Sequence, residues 1–420
     1  FEWMTEDGER RRRAHERQGF LQASGQLSGG AEAAAAAKVA SSAWAQADAE
    51  REVNGSAVQG DAPNKAAAEE AVASSLTSFR LMTFNVEEYY HGHHSCSLTE
   101  TVFKNLVGIR AILEEHSPDI ICMQEHSMGK KPGYTGKTAE HPVGAKDSFS
   151  EQDIISALTE DMDYDHVSYP TGENPAWYSA LANVVFWNRG KFALVKSWRV
   201  ELASSKEDLI PGTREHFTAR AATCVELKHV GTDKHLVVCA THLMGGRFED
   251  KSFVAESMYG RAVRAEQAEK IARSISHNCG AAMPSVIAGD FNVMNHGYKQ
   301  GSAFRQGAEK YFETKIVHDA LKMVHANSDG TAMKKEDCTF DGFYVPAMTK
   351  VHQVLDRKLG YVSAYGRTDD VASMKTTLYS GCIDWIYIRN LLSMKDEQVI
   401  EVLEHGYSDH NAVIVTLQLK

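Results

Sequence analysis

Six short motifs in this chain place, at one end of an apolar run, a residue able to handle a phosphate, a proton or a cation. TFNV offers Asn85, whose amide can hydrogen-bond a phosphoryl oxygen or orient a metal-bound water. MQE ends in Glu125, directly after the buried-type run DIICMQ. A carboxylate there is costly unless it is paired or bound to a cation, and it is a natural hard-oxygen ligand for Mg2+ or Mn2+. ATHL places His242 where an imidazole can donate to a phosphoryl oxygen or a leaving group. GDFN carries Asp290 and Asn292 two residues apart, so both face one side of an extended segment. Asp290 can hold a metal or the attacking water, and Asn292 can position that water or the phosphate. IDWIYI buries Asp384, and SDHNAV presents Asp409 and His410 just before a final apolar run. His410 becomes a general base if a carboxylate fixes its tautomer, and Asp384 is the candidate partner. Asp409 is then left for a metal.

Taken singly, each residue also has an ordinary structural role open to it. Asn85 can cap a turn, Glu125 can form a salt bridge, His242 can be a satisfied core histidine, and DFN can be an Asx turn. Taken together they supply a base for water, a cation for the non-bridging oxygens and stabilisation of the leaving oxygen. Those are the parts phosphodiester hydrolysis needs. Asn183, Arg220 and Arg247 are second-rank candidates for phosphate contact, with Lys251 close to the last of them. A serine or cysteine hydrolase fits poorly, because the chain has no GxSxG elbow.

Positioning such residues takes a set of buried strands with polar ends. Apolar runs predict strands over 79–86, 119–125, 180–189, 220–229, 235–243, 284–292, 382–390 and 410–419. Helical spacing marks Thr101–Glu115, Ser150–Asp161 and Glu256–Ser276. Strands that are apolar throughout imply sheets covered on both faces, either one buried sheet or two stacked sheets with outer helices. Insertions are expected near 129–150, 201–219 and 297–380; the last is too long for a simple loop and should hold a helix or two and a strand around Phe340–Val345.

Residues 1–78 have a different texture, with the alanine run Ala33–Ala37 and the basic run Arg10–Arg13 among acidic neighbours. They read as an alanine-rich arm, partly helical or extended. The competing reading is an arm that docks on its own domain or on a protein partner, with Trp3 and Trp44 as anchors.

The net charge of -11 argues against a broad basic nucleic-acid surface, so a polyanion would have to meet a local basic rim or a bound metal. Seven scattered cysteines without a CxxC pair argue against a disulfide framework and a zinc-thiolate site, while a single bridge stays open. Cys122, Cys224 and Cys239 read as small core residues. No apolar stretch is long enough for a transmembrane helix, which fits a soluble or peripheral protein. The first residue is Phe1, which fits a processed N-terminus or a fragment and leaves the compartment open.

The motifs TFNV, MQE, ATHL, GDFN, IDWIYI and SDHNAV, in this order over 79–420, resemble those of the endonuclease/exonuclease/phosphatase superfamily of DNase I-like, metal-dependent phosphoesterases. That resemblance implies a four-layered α/β sandwich of two packed mixed β-sheets flanked by helices. It implies Mg2+ as cofactor, with Mn2+ as an alternative. Glu125 resembles the metal-ligand glutamate, with Asn85 and Asp409 as its neighbours around the metal. Asp290 and Asn292 resemble the pair that orients water and contacts phosphate, and His242 the phosphate-contacting histidine. Asp384 and His410 resemble the Asp–His pair for which base and phosphate-stabilising roles are both argued. The subfamily is not fixed. Ala288 before Gly289 departs from the inositol polyphosphate 5-phosphatases, and CIDW with GYSDH departs from the abasic-site endonucleases. The helix GRAVRAEQAEKIARSI, with its R…Q pattern, is closer to deadenylase-like and sphingomyelinase-like members. The expected substrate is a phosphodiester in a nucleic acid or nucleotide. The alternatives are a sphingomyelinase-like or small-molecule phosphoesterase, and a non-catalytic protein that keeps the fold and docks through its arm.

Overall fold

A computed structural model describes residues 77–89, 91, 98–127, 150–170, 181–203, 220–244, 251–293, 350–365, 375–378, 382–393 and 400–419. The arm, apart from Thr77 and Ser78, lies outside these residues, as do the strand expected around Phe340–Val345 and most of the three insertions.

The described chain forms two mixed sheets with helices on their outer faces. The first sheet runs β11 (Leu392–Ser393), β13 (Ala412–Gln418), β1 (Ser78–Asn85), β2 (Ile120–Ser127), β4 (Leu181–Asn188), β3 (Tyr164–Pro170), with β12 (Glu401–Leu403) also paired to β13. The second runs β5 (Phe192–Ala203), β6 (Arg220–His229), β7 (His235–His242), β8 (Ser285–Asp290), β10 (Asp384–Arg389), β9 (Val362–Ser363). Each sheet holds one parallel pair, β1 with β2 and β7 with β8, among antiparallel neighbours.

Period-two alternation makes the sandwich. In β1, Phe79 and Leu81 enter the core shared with the second sheet, while Met82 and Phe84 face the helices. β2 repeats this with Ile120 and Cys122 inward and Ile121 and Met123 outward. Helices α1 (Leu98–His116) and α2 (Glu151–Thr159) cover the outer face with Val102, Leu106, Ile109, Leu113, Ile154 and Leu158. Ser150 starts α2 through a capping box with Asp153. Helix α3 (Lys251–Cys279) covers the second sheet with Ala268, Ile271, Ala272 and Ile275, spaced for one helical face. Among the described residues no helix is long and apolar enough to cross a membrane.

Two expectations need correction, and the reading of the cysteines is extended. β2 does not end at Glu125 but continues to Ser127. β5 runs to Ala203, so the insertion expected over 201–219 starts no earlier than residue 204. Cys224 and Cys239 are core residues, as expected, and they supply the single bridge that was left open. They face each other across β6 and β7 and form a disulfide, while Cys122 stays reduced and buried. Register, which sets that pairing, cannot be read from spacing alone.

Gly289 shows how closely the two parallel strands approach at the site end. Its φ is +149°, and a Cβ there would lie 1.8 Å from the carbonyl oxygen of Thr241. Gly289→Ala is expected to lower the Tm by roughly 5 °C or more. Thermal unfolding followed by circular dichroism checks this, and an unchanged Tm would mean that β7 and β8 do not meet this way.

Candidate active site

The register of the second sheet lines up three of the expected residues. His242 pairs with Asp290 across β7 and β8, and Asp290 pairs with Asp384 across β8 and β10. Paired residues share a face, so the three side chains form one row at the strand ends. The first sheet faces this row with Asn85, the next member of the inward series after Phe79, Leu81 and Thr83. Its Nδ2 donates to Asp290 Oδ2 at 3.2 Å and to Glu125 Oε1 at 3.1 Å. A single amide thus ties carboxylates from both sheets.

Glu125 reaches the site by a departure from regular strand geometry. Simple alternation would turn it outward with Ile121 and Met123. Its φ of +53° and the register shift between Met123 and His126 form a bulge that re-aims it. His126 then takes the outward place, bonded through Nδ1 to Tyr89 Oη at 2.6 Å. His242 Nδ1 lies 3.7 Å from Glu125 Oε1, and its Nε2 lies 3.4 Å from Asp290 Oδ2.

His410 joins from the segment before β13. Its Nδ1 bonds Asp384 Oδ2 at 2.9 Å, which turns Nε2 toward Asp290 Oδ2 at 3.7 Å and Asp409 Oδ1 at 3.8 Å. Ser408 sets this segment against β1: its Oγ donates to the Asn85 carbonyl at 2.7 Å and accepts from the His410 amide at 3.1 Å. Asn292 is held nearby, its amide nitrogen donating to Asp290 Oδ1 at 2.8 Å and its Nδ2 to the Leu243 carbonyl at 3.2 Å. The chain after His242 is clamped by α3. Gln267 accepts from the Met244 amide at 2.9 Å, and the fully buried Arg264 donates to the Met244 carbonyl at 3.1 Å. The R…Q pattern of that helix therefore has a structural use.

The second-rank candidates are placed differently. Asn183 is fully buried and bridges the sheets, donating to the Ala221 carbonyl at 2.6 Å, with Oδ1 unpartnered among the described residues. Arg220 donates to the Leu243 carbonyl at 3.3 Å. Arg247 and the side chain of Lys251 lie outside the described residues.

Sequence reasoning missed Glu87 and Glu88. They follow Asn85 in a 3-10 turn, Glu87–Tyr89, whose three residues all have positive φ. Such backbone costs roughly 1–2 kcal/mol per residue. Asn105 helps to hold it, donating to the carbonyls of Tyr89 and His91 at 3.0 Å each. Glu87 Oε2 accepts from the Asp409 amide at 3.1 Å and pairs with His91 Nδ1 at 2.6 Å, and Glu88 lies buried within electrostatic reach of Glu125. Alternation could not have placed Glu87 and Glu88, because the turn interrupts the extended geometry in which residues two apart share a face.

Burial of so many acids raises their pKa values. Asp290 is pushed up to about 7, first by burial and then by the nearby Asp384, against the pull of His410. Glu87 rises to about 7 through burial and the charge of Asp409. Glu125 also rises, through burial and its neighbours Glu88 and Asp409. For His410, burial works against the charge, but Asp384, Asp290 and Asp409 overcome it and hold the imidazolium well above its ordinary range. A pocket of hard oxygen donors with excess negative charge fits a divalent cation. Asp290, Asp384 and His410 have ligand atoms within 4.8 Å of one another and form a candidate cation group.

With this geometry in hand, the class of protein is clear. The chain belongs to the Endonuclease/Exonuclease/phosphatase family, whose model matches residues 82–410. Among solved structures it is similar to an endonuclease/exonuclease/phosphatase from Bacteroides vulgatus, at 18% identity and TM-score 0.46 over 82% of this chain and 100% of that one. It is also similar to the human Nocturnin catalytic domain with bound sulfate anion, at 15% identity and TM-score 0.45 over 82% and 94% of the two chains. A third is the mannosyl-6-phosphatase of Bacteroides thetaiotaomicron, at 12% identity and TM-score 0.43 over 81% and 99%. No curated protein matches the chain. The fold and the cation group support metal-dependent phosphoesterase activity.

The raised pKa of Asp290 gives a stability test. Its carboxyl favours the neutral form in the folded state, so its contribution is present below 3.8 and is lost as pH rises from there to about 7. Without metal, the wild-type Tm should therefore fall more steeply between pH 5 and 7.5 than that of Asp290→Asn, and a bound divalent cation should restore the wild type. Scanning fluorimetry across pH reads this; parallel slopes would refute it.

Proposed function

We propose that the chain is a Mg2+-dependent hydrolase of phosphodiester bonds, able to use Mn2+, whose substrate is a nucleotide or nucleic acid. The observation that carries this is the row His242–Asp290–Asp384, faced by Asn85 and Glu125 and completed by the Asp384–His410 pair. Among the substrate classes, the net charge of -11 favours one gripped at a single phosphate over a long duplex laid on a basic surface.

Glu125, Asn85 and Asp409 would hold the cation, with Glu87 beside Asp409. They are preferred over the group containing His410, because ligation by Asp384 would compete with its bond to His410 Nδ1 at 2.9 Å. A divalent cation held by these residues would supply neutralisation of phosphate charge and stabilisation of the leaving oxygen.

Asp290, with a pKa near 7, accepts the proton of the attacking water. Asn85 Nδ2 holds one of its oxygens and the Asn292 backbone amide the other. The water oxygen bonds phosphorus as the ester P–O bond opens. His410, locked by Asp384, and His242 donate to the non-bridging oxygens as their charge grows.

Hydrolysis of bis-p-nitrophenyl phosphate with Mg2+ or Mn2+, abolished by EDTA, is the first test. His410→Ala and Glu125→Ala are expected to lower kcat by at least about 100-fold. A panel of RNA, single- and double-stranded DNA, cyclic nucleotides, sphingomyelin and phosphomonoesters then assigns the substrate. Absence of metal-dependent turnover on every member would leave a binding role for the fold.

A further inference from the structure

The residues Lys375–Leu378 belong to the long insertion, yet they touch both partners of the Asp384–His410 pair. Thr376 is fully buried. Its Oγ1 accepts from the amides of Ile383 at 3.0 Å and Asp384 at 3.2 Å, at the entry to β10. Its carbonyl accepts from the Asn411 amide at 2.7 Å, and Asn411 Nδ2 donates to the Lys375 carbonyl at 2.8 Å. Thr377 bridges to His410, and the Leu378 amide donates to the Asp409 carbonyl at 2.9 Å.

Asp384 and His410 come from different sheets, Asp384 from β10 of the second and His410 from the lead into β13 of the first. A bond between them depends on how those two strands are set. Lys375–Leu378 is hydrogen-bonded to both strand entries at once. Tyr365 adds a second hold on the Asp384 side, donating to its carbonyl at 2.9 Å.

We infer that Lys375–Leu378 is a positioning strap and that Thr376 is its central positioning residue, fixing Asp384 against His410 without touching substrate. This rests on the hydrolytic reading of the site. The Thr376 hydroxyl is the lever, because Thr376→Val keeps the side-chain shape and removes the acceptor, whereas Thr376→Ser keeps the acceptor.

The test uses the full chain, with bis-p-nitrophenyl phosphate and Mg2+ as the activity probe and hydrogen exchange of the Ile383 and Asp384 amides as a probe independent of activity. Thr376→Val should exchange faster at both amides and lose about 10- to 100-fold in kcat, with KM within about threefold of wild type. Thr376→Ser should stay within about threefold of wild type in kcat and keep the slow exchange. The strap is overturned if Thr376→Val keeps wild-type kcat, if the loss falls on KM, or if Thr376→Ser loses as much as Thr376→Val. A wild-type chain without turnover would sink the hydrolytic reading alone. Exchange then decides the strap: unchanged rates in Thr376→Val would overturn it, and faster rates reversed in Thr376→Ser would support it.

Discussion

Asp290 is a carboxylate with 2% exposure, held at the seam of two sheets, and the site is arranged around the cost of burying it. Asn85 reaches across from the first sheet to one of its oxygens, and the Asn292 amide takes the other. Two histidines flank it, at 3.4 Å and 3.7 Å. Even so the site keeps more negative than positive charge, since Glu87, Glu88, Glu125, Asp384 and Asp409 stand close by. A divalent cation would relieve that imbalance. The same excess that destabilises the metal-free protein is what would make it bind.

The apolar sandwich exists to hold this row in place. Inward rows such as Phe79–Leu81 and Ile120–Cys122 close the interior, and the next inward positions, Thr83, Asn85 and Gln124, turn polar as the strands approach the rim. The rim is also where backbone irregularity collects. Glu125 sits in a bulge, Glu87–Tyr89 in a left-handed turn, and Gly289 in a conformation that allows the Thr241 carbonyl to approach. Strain of this kind is stable only where the surroundings fix it. Here Asn105 secures the turn, and Gln267 with Arg264 secures the chain after His242.

The strands and their polar ends were legible because buried strands are continuous apolar runs; β6 in particular coincides with RAATCVELKH. β3 and β5 were not, because half-exposed edge strands carry mixed residues and lack that signature. Asp290 and His410 could be named from type and spacing, while Asp384 leaned more on the order of the family motifs. The route by which Glu125 enters the site could not, since a bulge reverses a side chain without any mark in composition. Glu87 and Glu88 were hidden for a related reason: the left-handed turn breaks the alternation that would have placed them. Thr376 was invisible because its role is to accept hydrogen bonds from the entry to another strand. The Cys224–Cys239 bridge likewise depends on register.

The central claim is that the cation and the Asp384–His410 pair are separate parts of one site. Anomalous diffraction from crystals soaked in Mn2+ tests it most directly. The account predicts a peak against Glu125 and Asp409, with His410 Nδ1 still bonded to Asp384. A peak ligated by Asp290, Asp384 and His410, with that bond broken, would contradict it.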